Sequence, residues 1–204
     1  PIWALGQAIA PAGKDLLQAC IDAALGLDRS YLYVQGPPGS GKTYTGSRMI
    51  AALLAEGKRV GVMSNSHKAI HHLMYGAMQA AKEQGIAVRA VKKAAKDAPD
   101  SQLQGAAPEV MNVFKNEEVV RANGNLIGGT AWLFSTLDSE LDCLFVDEAG
   151  QVSLANLIAC SGAARNLVLL GDQMQLGQPT QGVHPGQSGD SALDYLLDGA
   201  ATIT

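Results

Sequence analysis

The sequence predicts an α/β protein built on a mostly parallel sheet with helices on both faces. Three observations support this fold class. Short apolar runs alternate with amphipathic helical patterns in the first half of the chain, a glycine-rich segment joins one run to the next helix, and two later runs end at acidic residues. Strands that alternate with helices pair in the same direction, because each helix carries the chain back across the sheet.

Length and composition fit a folded domain. The chain has 204 residues, of which 47% are hydrophobic and 17% charged, and this balance excludes a disordered tail. Every apolar run is interrupted before about 18 residues, which excludes a membrane-spanning helix. The formal net charge of −4 excludes a wholly basic surface, but it is compatible with a local basic groove for nucleic acid.

Cysteine usage and the first residues suggest a cytoplasmic fragment. Cys20, Cys143 and Cys160 are widely spaced and form no CxxC pair, which favours neither a disulfide framework nor a zinc site, so a reducing cytoplasm is expected. The chain begins at Pro1 without an initiator Met or the features of a signal peptide. We expect residues 1–204 to form one domain of a longer protein.

The clearest alternation lies in the first 85 residues. Apolar residues recur every three or four positions in the helical segments, and glycines close them. The predicted elements are a helix over 14–27, a strand over 31–35, a helix over 43–56, a strand over 60–63 and a helix over 67–83.

The second half begins with an irregular segment. Residues 92–124 have weak periodicity, two prolines and a stretch rich in Gln, Ala and Gly, so we expect an insertion on the domain surface. Strands are then predicted over 125–129, 141–146 and 166–170, with a helix near 154–161 between the last two.

A basic cluster lies at the start of the irregular segment. It comprises Arg89, Lys92, Lys93 and Lys96. Such a run is usually a solvated face, but it could also follow the phosphates of a nucleic acid. Both interpretations stay open.

The segment GPPGSGKT, residues 36–43, matches the phosphate-binding loop of P-loop NTPases. In that pattern the backbone N–H groups of a glycine-rich turn hold phosphates at a helix N-terminus. Lys42 offers positive charge to the β and γ phosphates, and the Thr43 hydroxyl can bind Mg²⁺. The expected nucleotide contacts are Gly36, Gly39, Ser40, Gly41, Lys42 and Thr43.

Asp147 and Glu148 follow the apolar strand over 141–146. An acidic residue at the end of a buried strand is where a nucleotide-binding sheet holds its Mg²⁺, so Asp147 is the predicted metal ligand. Glu148 points in a different direction and is the candidate base that orients water towards the γ phosphate. Without the phosphate loop, the same pair would more often be a helix N-cap.

A third polar segment, GDQMQL over residues 171–176, follows the last apolar strand. Its position predicts that it lies at the same edge of the sheet as the other two motifs. Gln175 is a candidate sensor of the γ phosphate, and it is assigned a catalytic role with Lys42 and Glu148. An ordinary Gly-Asp turn would explain the segment equally well.

These three segments, in this order, resemble motifs I, II and III of superfamily 1 helicases, in the Upf-like branch. Residues 66–73 resemble motif Ia and residues 129–130 resemble motif Ic, which in the family contact the backbone of a single strand. The resemblance therefore implies nucleic-acid contacts at Ser66, His67 and Thr130. Gln18 resembles the glutamine with which the family reads adenine.

Over nearly its whole length, the chain also resembles bacterial proteins that join a RecB-like nuclease to such a helicase. This resemblance includes His184-Pro185 and residues 191–193. The resemblance implies a first RecA-like domain that uses ATP and Mg²⁺. It also implies a single-stranded nucleic-acid partner, DNA in preference to RNA, and a second RecA-like domain in the same chain. An upstream nuclease domain is a further expectation. Without the second domain, nucleotide binding is expected rather than turnover.

Two other functions remain as alternatives. A nucleotide-dependent switch could use the same loop to dock a protein partner without acting on nucleic acid. An oligomeric AAA-type ATPase also shares the phosphate loop and the acidic strand end, but the segment over 171–176 disfavours it.

Overall fold

The computed structural model describes residues 13, 15–103, 110–172 and 191–197. The strands in these ranges are β1 (Tyr31–Gln35), β2 (Val60–Met63), β3 (Ala90–Lys93), β4 (Val110–Val113), β5 (Leu126–Gly129), β6 (Leu141–Val146) and β7 (Ala164–Gly171). The α-helices are α1 (Leu16–Leu25), α2 (Lys42–Ala55), α3 (His67–Glu83), α4 (Asn116–Ala122), α5 (Ala131–Phe134), α6 (Leu154–Ser161) and α7 (Ala192–Leu197). None of these helices is long and apolar enough to cross a membrane.

The seven strands form one parallel sheet in the order β1-β7-β6-β2-β5-β3-β4. Met63, the last residue of β2, lies opposite Val146 on one side and Gly129 on the other. Gln35 at the end of β1 lies opposite Gly171 at the end of β7. The carboxyl ends of these five strands therefore meet at one edge, where ligands of open parallel sheets bind.

Two apolar layers cover the sheet, one on each face. Alternate strand residues enter different layers, because successive side chains of a strand point to opposite faces. Val62 and Phe145 pack with Met49 of α2 and Leu73 of α3. The neighbours of these strand residues pack with α5 and α6; they are Met63, Leu144 and Val146. The predicted α/β class with helices on both faces is confirmed.

The segment over 92–124 is more regular than expected. It contributes β4 and α4, and β4 extends the sheet by pairing with β3. Only Val113 of β4 is buried, and Met111 is 55% exposed. An edge strand with one buried residue has little hydrophobic patterning, which explains why the sequence did not predict it.

Candidate active site

The turn between β1 and α2 has the geometry of an anion-binding loop. Gly39 and Gly41 have φ angles of 78° and 86°, in the left-handed region that favours glycine. Gly41 is the N-cap of α2 and provides no side-chain hydrogen bond to that helix. The first N–H groups of α2 therefore lack a side-chain acceptor at the positive end of the helix dipole, where phosphate is stabilised.

Gly36 connects this loop to the sheet. Its N–H donates to the carbonyl of Gly171 on β7, at 3.2 Å. A Cβ atom at position 36 would overlap Oγ of Ser40, so any other residue would force the Ser40 side chain to move. The four predicted loop contacts before Lys42 thus lie in one compact turn.

The ammonium group of Lys42 lies over the loop. Nζ donates to the carbonyl of Gly36 and to that of Pro37, the second at 2.9 Å. Its charge lowers the pKa of Asp147, so the predicted phosphate ligand and the predicted metal ligand are electrostatically coupled. Carbonyls are weaker partners than phosphate oxygens, and the ammonium group can exchange them for a nucleotide.

Asp147 is a buried carboxyl group at the end of β6, with 7% of its surface exposed. Burial raises its pKa to about 6, and the N–H of Glu148, which donates to Oδ1 at 2.9 Å, opposes this increase. The charge of Glu148 raises the pKa further, whereas that of Lys42 lowers it. A carboxylate desolvated in this way is stabilised by a nearby cation.

Glu148 turns away from the strand because its backbone is left-handed, with φ 55° and ψ 41°. Its Oε2 accepts a hydrogen bond of 3.3 Å from the hydroxyl of Ser64. Ser64 is fully buried and directly follows β2. Ser64 was not among the predicted site residues, although a serine that follows a buried strand towards the ligand edge is a usable signal.

The oxygen ligands in this region suit Mg²⁺. Thr43 stands exposed in the first turn of α2, after Lys42, and Asp147 supplies a carboxylate. Among the described residues, no group of three or more His, Cys, Asp and Glu could hold a metal ion. Mg²⁺ is commonly bound through one or two carboxylates together with substrate phosphates and waters. The residues therefore fit a metal held jointly with a nucleotide.

A cavity of about 400 Å³ adjoins the phosphate loop. Part of its wall comes from α1, and the rest comes from β1 and the loop. Representative lining residues are Ala19, Cys20, Ala23, Val34 and Pro37. The wall is mainly apolar, and flat aromatic ligands bind to such surfaces.

Gln18 belongs to α1 but does not line this cavity. It is exposed, and its amide donates to Oδ1 of Asp22 at 2.8 Å, one helical turn away. The structure thus places the predicted adenine-reading residue on the helix that borders the cavity, with its amide engaged in a local hydrogen bond.

The three residues expected to contact nucleic acid follow the ends of β2 and β5. Oγ of Ser66 accepts from the N–H of Ala69 and caps α3, at 3.3 Å. His67 is the first residue of that helix, and its Nδ1 lies 3.3 Å from Nζ of Lys92. Thr130 is the N-cap of α5 and makes no side-chain capping bond.

A second cavity, of about 500 Å³, lies beside Thr130. Its other polar lining residues are Asn65, Ser135 and Asn156, and Trp132 borders it as well. Trp132, which is 85% exposed, was not among the predicted site residues. The cavity lies at the same edge of the sheet as Asp147, because β2 pairs with both β5 and β6.

The basic cluster does not form a uniform solvated face. Lys92 is fully buried, and its ammonium group donates to the carbonyl of Lys93 at 2.6 Å. Arg89 donates to the carbonyl of Asn123, and Lys96 lies over the ring of Phe114. Lys92 therefore neither lies on a solvated face nor is exposed to the phosphates of a nucleic acid, because its side chain is buried inside the fold beside α3.

The third motif is described only in part. Asp172 is 6% exposed, and its carbonyl approaches Gly150, where a Cβ atom would lie 2.8 Å from that oxygen. Gln175 and His184-Pro185 lie outside the described residues. The predicted roles of these three residues therefore remain predictions.

Comparison with known proteins identifies the family. The AAA domain family matches residues 18–190, most of the chain. A DNA replication ATP-dependent helicase/nuclease of Saccharomyces cerevisiae, DNA2, is 26% identical over 153 residues, 72% of this chain and 10% of the relative. A DNA replication ATP-dependent helicase/nuclease of Arabidopsis thaliana, JHS1, is 25% identical over 79% of this chain and 12% of the relative. The chain thus spans about a tenth of the length of these relatives.

Solved structures share the fold. An Arterivirus nonstructural protein 10 helicase in complex with DNA aligns over 81% of this chain and 34% of its own, at 19% identity and a TM-score of 0.50. A nuclease-deletion mutant of the Type ISP restriction-modification enzyme LlaGI, in complex with a DNA substrate mimic, aligns over 78% of this chain and 17% of its own, at 16% identity and a TM-score of 0.52.

The curated relatives are helicase/nucleases, which favours the superfamily 1 helicase resemblance over the two alternatives. The parallel sheet, the phosphate loop after β1 and the acidic end of β6 agree with it. The chain therefore belongs to the AAA domain family and has the fold of a RecA-like P-loop NTPase domain.

Proposed function

We propose that the chain is the ATP-binding motor domain of a superfamily 1 helicase, in which ATP hydrolysis drives movement along a single strand. The observation that carries the proposal is the phosphate loop before α2, with the ammonium group of Lys42 over it and the buried carboxyl group of Asp147 at the same edge of the sheet. The ammonium group above the phosphate loop acts electrostatically on a buried carboxyl group at the end of β6. This arrangement suits a phosphorylated ligand with a divalent cation.

Nucleotide binding is proposed to use the loop and the neighbouring cavity together. The N–H groups of residues 36–43 and Nζ of Lys42 would bind the phosphates, and the apolar cavity would take the base. Gln18 would read the adenine edge after releasing Asp22. Thr43 and Asp147 would hold Mg²⁺, which when bound neutralises charge on the phosphate oxygens.

Hydrolysis is proposed to depend on Glu148. Its carboxylate would orient a water for in-line attack on the γ phosphorus and accept the proton that the water releases, while the bond from the γ phosphorus to the β–γ bridging oxygen breaks and ADP leaves with that oxygen. The hydroxyl of Ser64 supports this role, because its hydrogen bond restrains the carboxylate without neutralising it. Gln175 is proposed to sense the γ phosphate.

The proposed nucleic-acid partner is single-stranded, and DNA is favoured over RNA. Two curated relatives carry DNA replication in their names, and the two solved structures described above contain DNA. Ser66, His67 and Thr130 would contact the strand backbone through hydroxyl and imidazole donors. Contacts of this kind go to phosphates, so binding would be largely independent of sequence.

The rest of the protein is proposed from the family resemblance. A second RecA-like domain of the same chain would complete the ATP site and share the strand, and closure of the two domains would accompany each ATP cycle. A nuclease domain upstream is proposed because both curated relatives are helicase/nucleases. The three cysteines are free thiols, which agrees with a cytoplasmic location.

Two measurements test the proposal. Calorimetric titration with a non-hydrolysable ATP analogue and Mg²⁺ should give binding in the wild type and none in Lys42→Ala, and equal affinities would remove the phosphate-loop assignment. In the full-length protein, single-stranded DNA should stimulate ATPase activity. Nucleotide binding without such stimulation would favour the nucleotide-dependent switch.

A further inference from the structure

Trp132 is the most exposed large hydrophobic side chain among the described residues, with 85% of its surface accessible. Single exposed apolar side chains are common on protein surfaces, but this indole borders the 500 Å³ cavity at the ligand-binding edge of the sheet. Its ring nitrogen has no hydrogen-bond partner in the part of the chain that the structure describes. The indole thus offers two flat faces and one free donor.

The backbone that carries Trp132 is fixed, although the side chain is exposed. The next two residues, Leu133 and Phe134, are buried in the apolar layer under α5 and α6. Sγ of Cys160 on α6 donates to the carbonyl of Ala131 at 3.3 Å. The carbonyl of Trp132 accepts from Asn116 Nδ2 at 3.5 Å. A ligand would therefore meet an indole that projects from a backbone set before binding, which limits the entropic cost of binding to the side chain.

The surroundings of the indole indicate the chemistry of the ligand. The 500 Å³ cavity next to it is lined by the polar residues Asn65, Thr130, Ser135 and Asn156, and no charged residue contributes to the lining. A protein interface would more often surround its aromatic anchor with a contiguous apolar core. A flat aromatic ligand with hydrogen-bonding edges matches an indole face rimmed by amides and hydroxyls, and an unstacked nucleobase has this chemistry.

We propose that Trp132 is a base-stacking platform, on which one base of a single strand stacks while its edge enters the cavity lined by Asn65, Thr130 and Asn156. This inference rests on the proposed function, because it assigns a base subsite next to the backbone contact proposed for Thr130. Stacking does not depend on base identity, since every base has a π face. The stacked face would therefore accept any base, and a sequence preference would come only from hydrogen bonds between the base edge and the cavity.

Two oligonucleotides separate stacking from backbone contact. The full-length protein is titrated with a fluorescent oligo-dT and with an abasic oligomer of equal length, which has the same phosphates but no bases. Trp132→Ala should weaken binding of oligo-dT by roughly five- to 150-fold, as expected for one stacked base, and leave binding of the abasic oligomer unchanged. Trp132→Phe should restore part of the loss, because a smaller ring still stacks.

A matched control comes from Tyr31, which is 50% exposed at the start of β1, at the opposite edge of the sheet. Tyr31→Ala should bind both oligomers like the wild type. Indole fluorescence gives a readout that is independent of affinity. In this chain with Trp3→Phe, emission from Trp132 should be quenched by oligo-dT and not by the abasic oligomer.

The outcomes distinguish this inference from the proposed function. If the wild type binds oligo-dT and Trp132→Ala binds it equally well, the platform is wrong and the helicase proposal stands. If Trp132→Ala weakens binding of both oligomers to the same extent, the residue contacts the strand backbone or supports the fold, and stacking is excluded. If Trp132→Ala abolishes a protein–protein association instead, the cavity is an interface. If the wild type binds no single strand at all, the proposed function fails with the inference.

Discussion

Nζ of Lys92 lies 3.3 Å from Nδ1 of His67, and no carboxylate of the described residues forms an ion pair with this buried ammonium group. The imidazole nitrogen can accept this hydrogen bond only when it carries no proton, which leaves the proton on Nε2. Burial lowers the pKa of His67, and the positive charge of Lys92 lowers it further. His67 is thus held neutral, as a hydrogen-bond donor through Nε2.

The first prediction is that Lys92 makes stability depend on pH. Burial, together with the charge of Lys93, lowers the pKa of Lys92 to about 8, whereas the unfolded chain keeps an ordinary value near 10.5. At pH values between these two pKa values, Lys92 is protonated in the unfolded state and largely neutral in the folded state. The free energy of unfolding should therefore rise with pH, by roughly 3 kcal/mol in total. Lys92→Met should flatten this rise and raise the pKa of His67.

Urea unfolding at several pH values and NMR titration of the histidine ring protons measure these two effects. Lys68→Met is the matched control, since Lys68 is an exposed lysine beside His67 on α3. It should leave both the pH profile and the His67 pKa near wild type. A Lys92→Met variant with the wild-type pH profile would contradict a buried ammonium group.

The second prediction concerns Glu148 and Ser64. Glu148→Gln in the full-length protein should keep ATP affinity and lose hydrolysis, because the amide preserves the shape but cannot accept the proton. Ser64→Ala should lower kcat to a smaller extent, about threefold to tenfold, with little change in KM. The Glu148 carboxylate remains in this variant but loses the 3.3 Å hydrogen bond that holds it in place. Near-wild-type turnover in Glu148→Gln would mean that another group is the base.

The third prediction concerns the close approach of Gly150 to Asp172. A Cβ atom at position 150 would lie 2.8 Å from the carbonyl oxygen of Asp172, which is backbone and cannot rotate away. Gly150→Ala should therefore destabilise the fold by roughly 1–3 kcal/mol, as expected for overpacking. Gly162→Ala is the control, because no atom lies within 4 Å of its Cβ position and its backbone is right-handed helical. Urea midpoints compare the two, and equal stabilities would contradict the clash.

The residues that the sequence predicted differ in kind from those that it missed. The phosphate loop and Asp147 were predictable because each depends on a local pattern, glycines in a strand-to-helix turn and a carboxylate after an apolar run. The contact between Ser64 and Glu148 joins residues 84 positions apart, and sheet order decides it. The position of Lys92 was not predicted because a charged residue in a basic run is usually solvated, and only the tertiary structure shows that its side chain is buried beside His67 of α3.

The fourth prediction separates the contribution of the apolar cavity from that of Gln18 to binding of the adenine base. Cys20 lines the cavity beside the phosphate loop, whereas Gln18 on the same helix does not. Cys20→Phe should fill the cavity and weaken binding of ATP, while inorganic triphosphate, which has no base, binds as in the wild type. Gln18→Ala should reduce the preference for ATP over GTP with little effect on triphosphate. If Cys20→Phe binds ATP normally, the base lies elsewhere.

The last prediction concerns the strand contacts at Ser66 and Thr130. The double variant Ser66→Ala with Thr130→Ala should impair stimulation of ATPase activity by single-stranded DNA in the full-length protein, because two hydroxyl donors to the strand backbone are removed. Nucleotide affinity should stay unchanged, since neither residue belongs to the phosphate loop.

Few donors at this surface carry a formal charge, and the net charge is −4, so this chain alone should bind single strands more weakly than the full-length protein.

The Ser66 substitution needs a control for stability, because its hydroxyl also caps α3 and loss of a cap costs about 1 kcal/mol. Ser153 caps α6 in the same way, accepting from the N–H of Asn156 at 3.2 Å. Ser153→Ala should match the loss of stability and keep strand stimulation. If the double variant is stimulated like the wild type, the strand does not contact these hydroxyls. If oligonucleotides fail to stimulate even the wild-type full-length protein, the helicase proposal fails and the nucleotide-dependent switch becomes the better account of the phosphate loop.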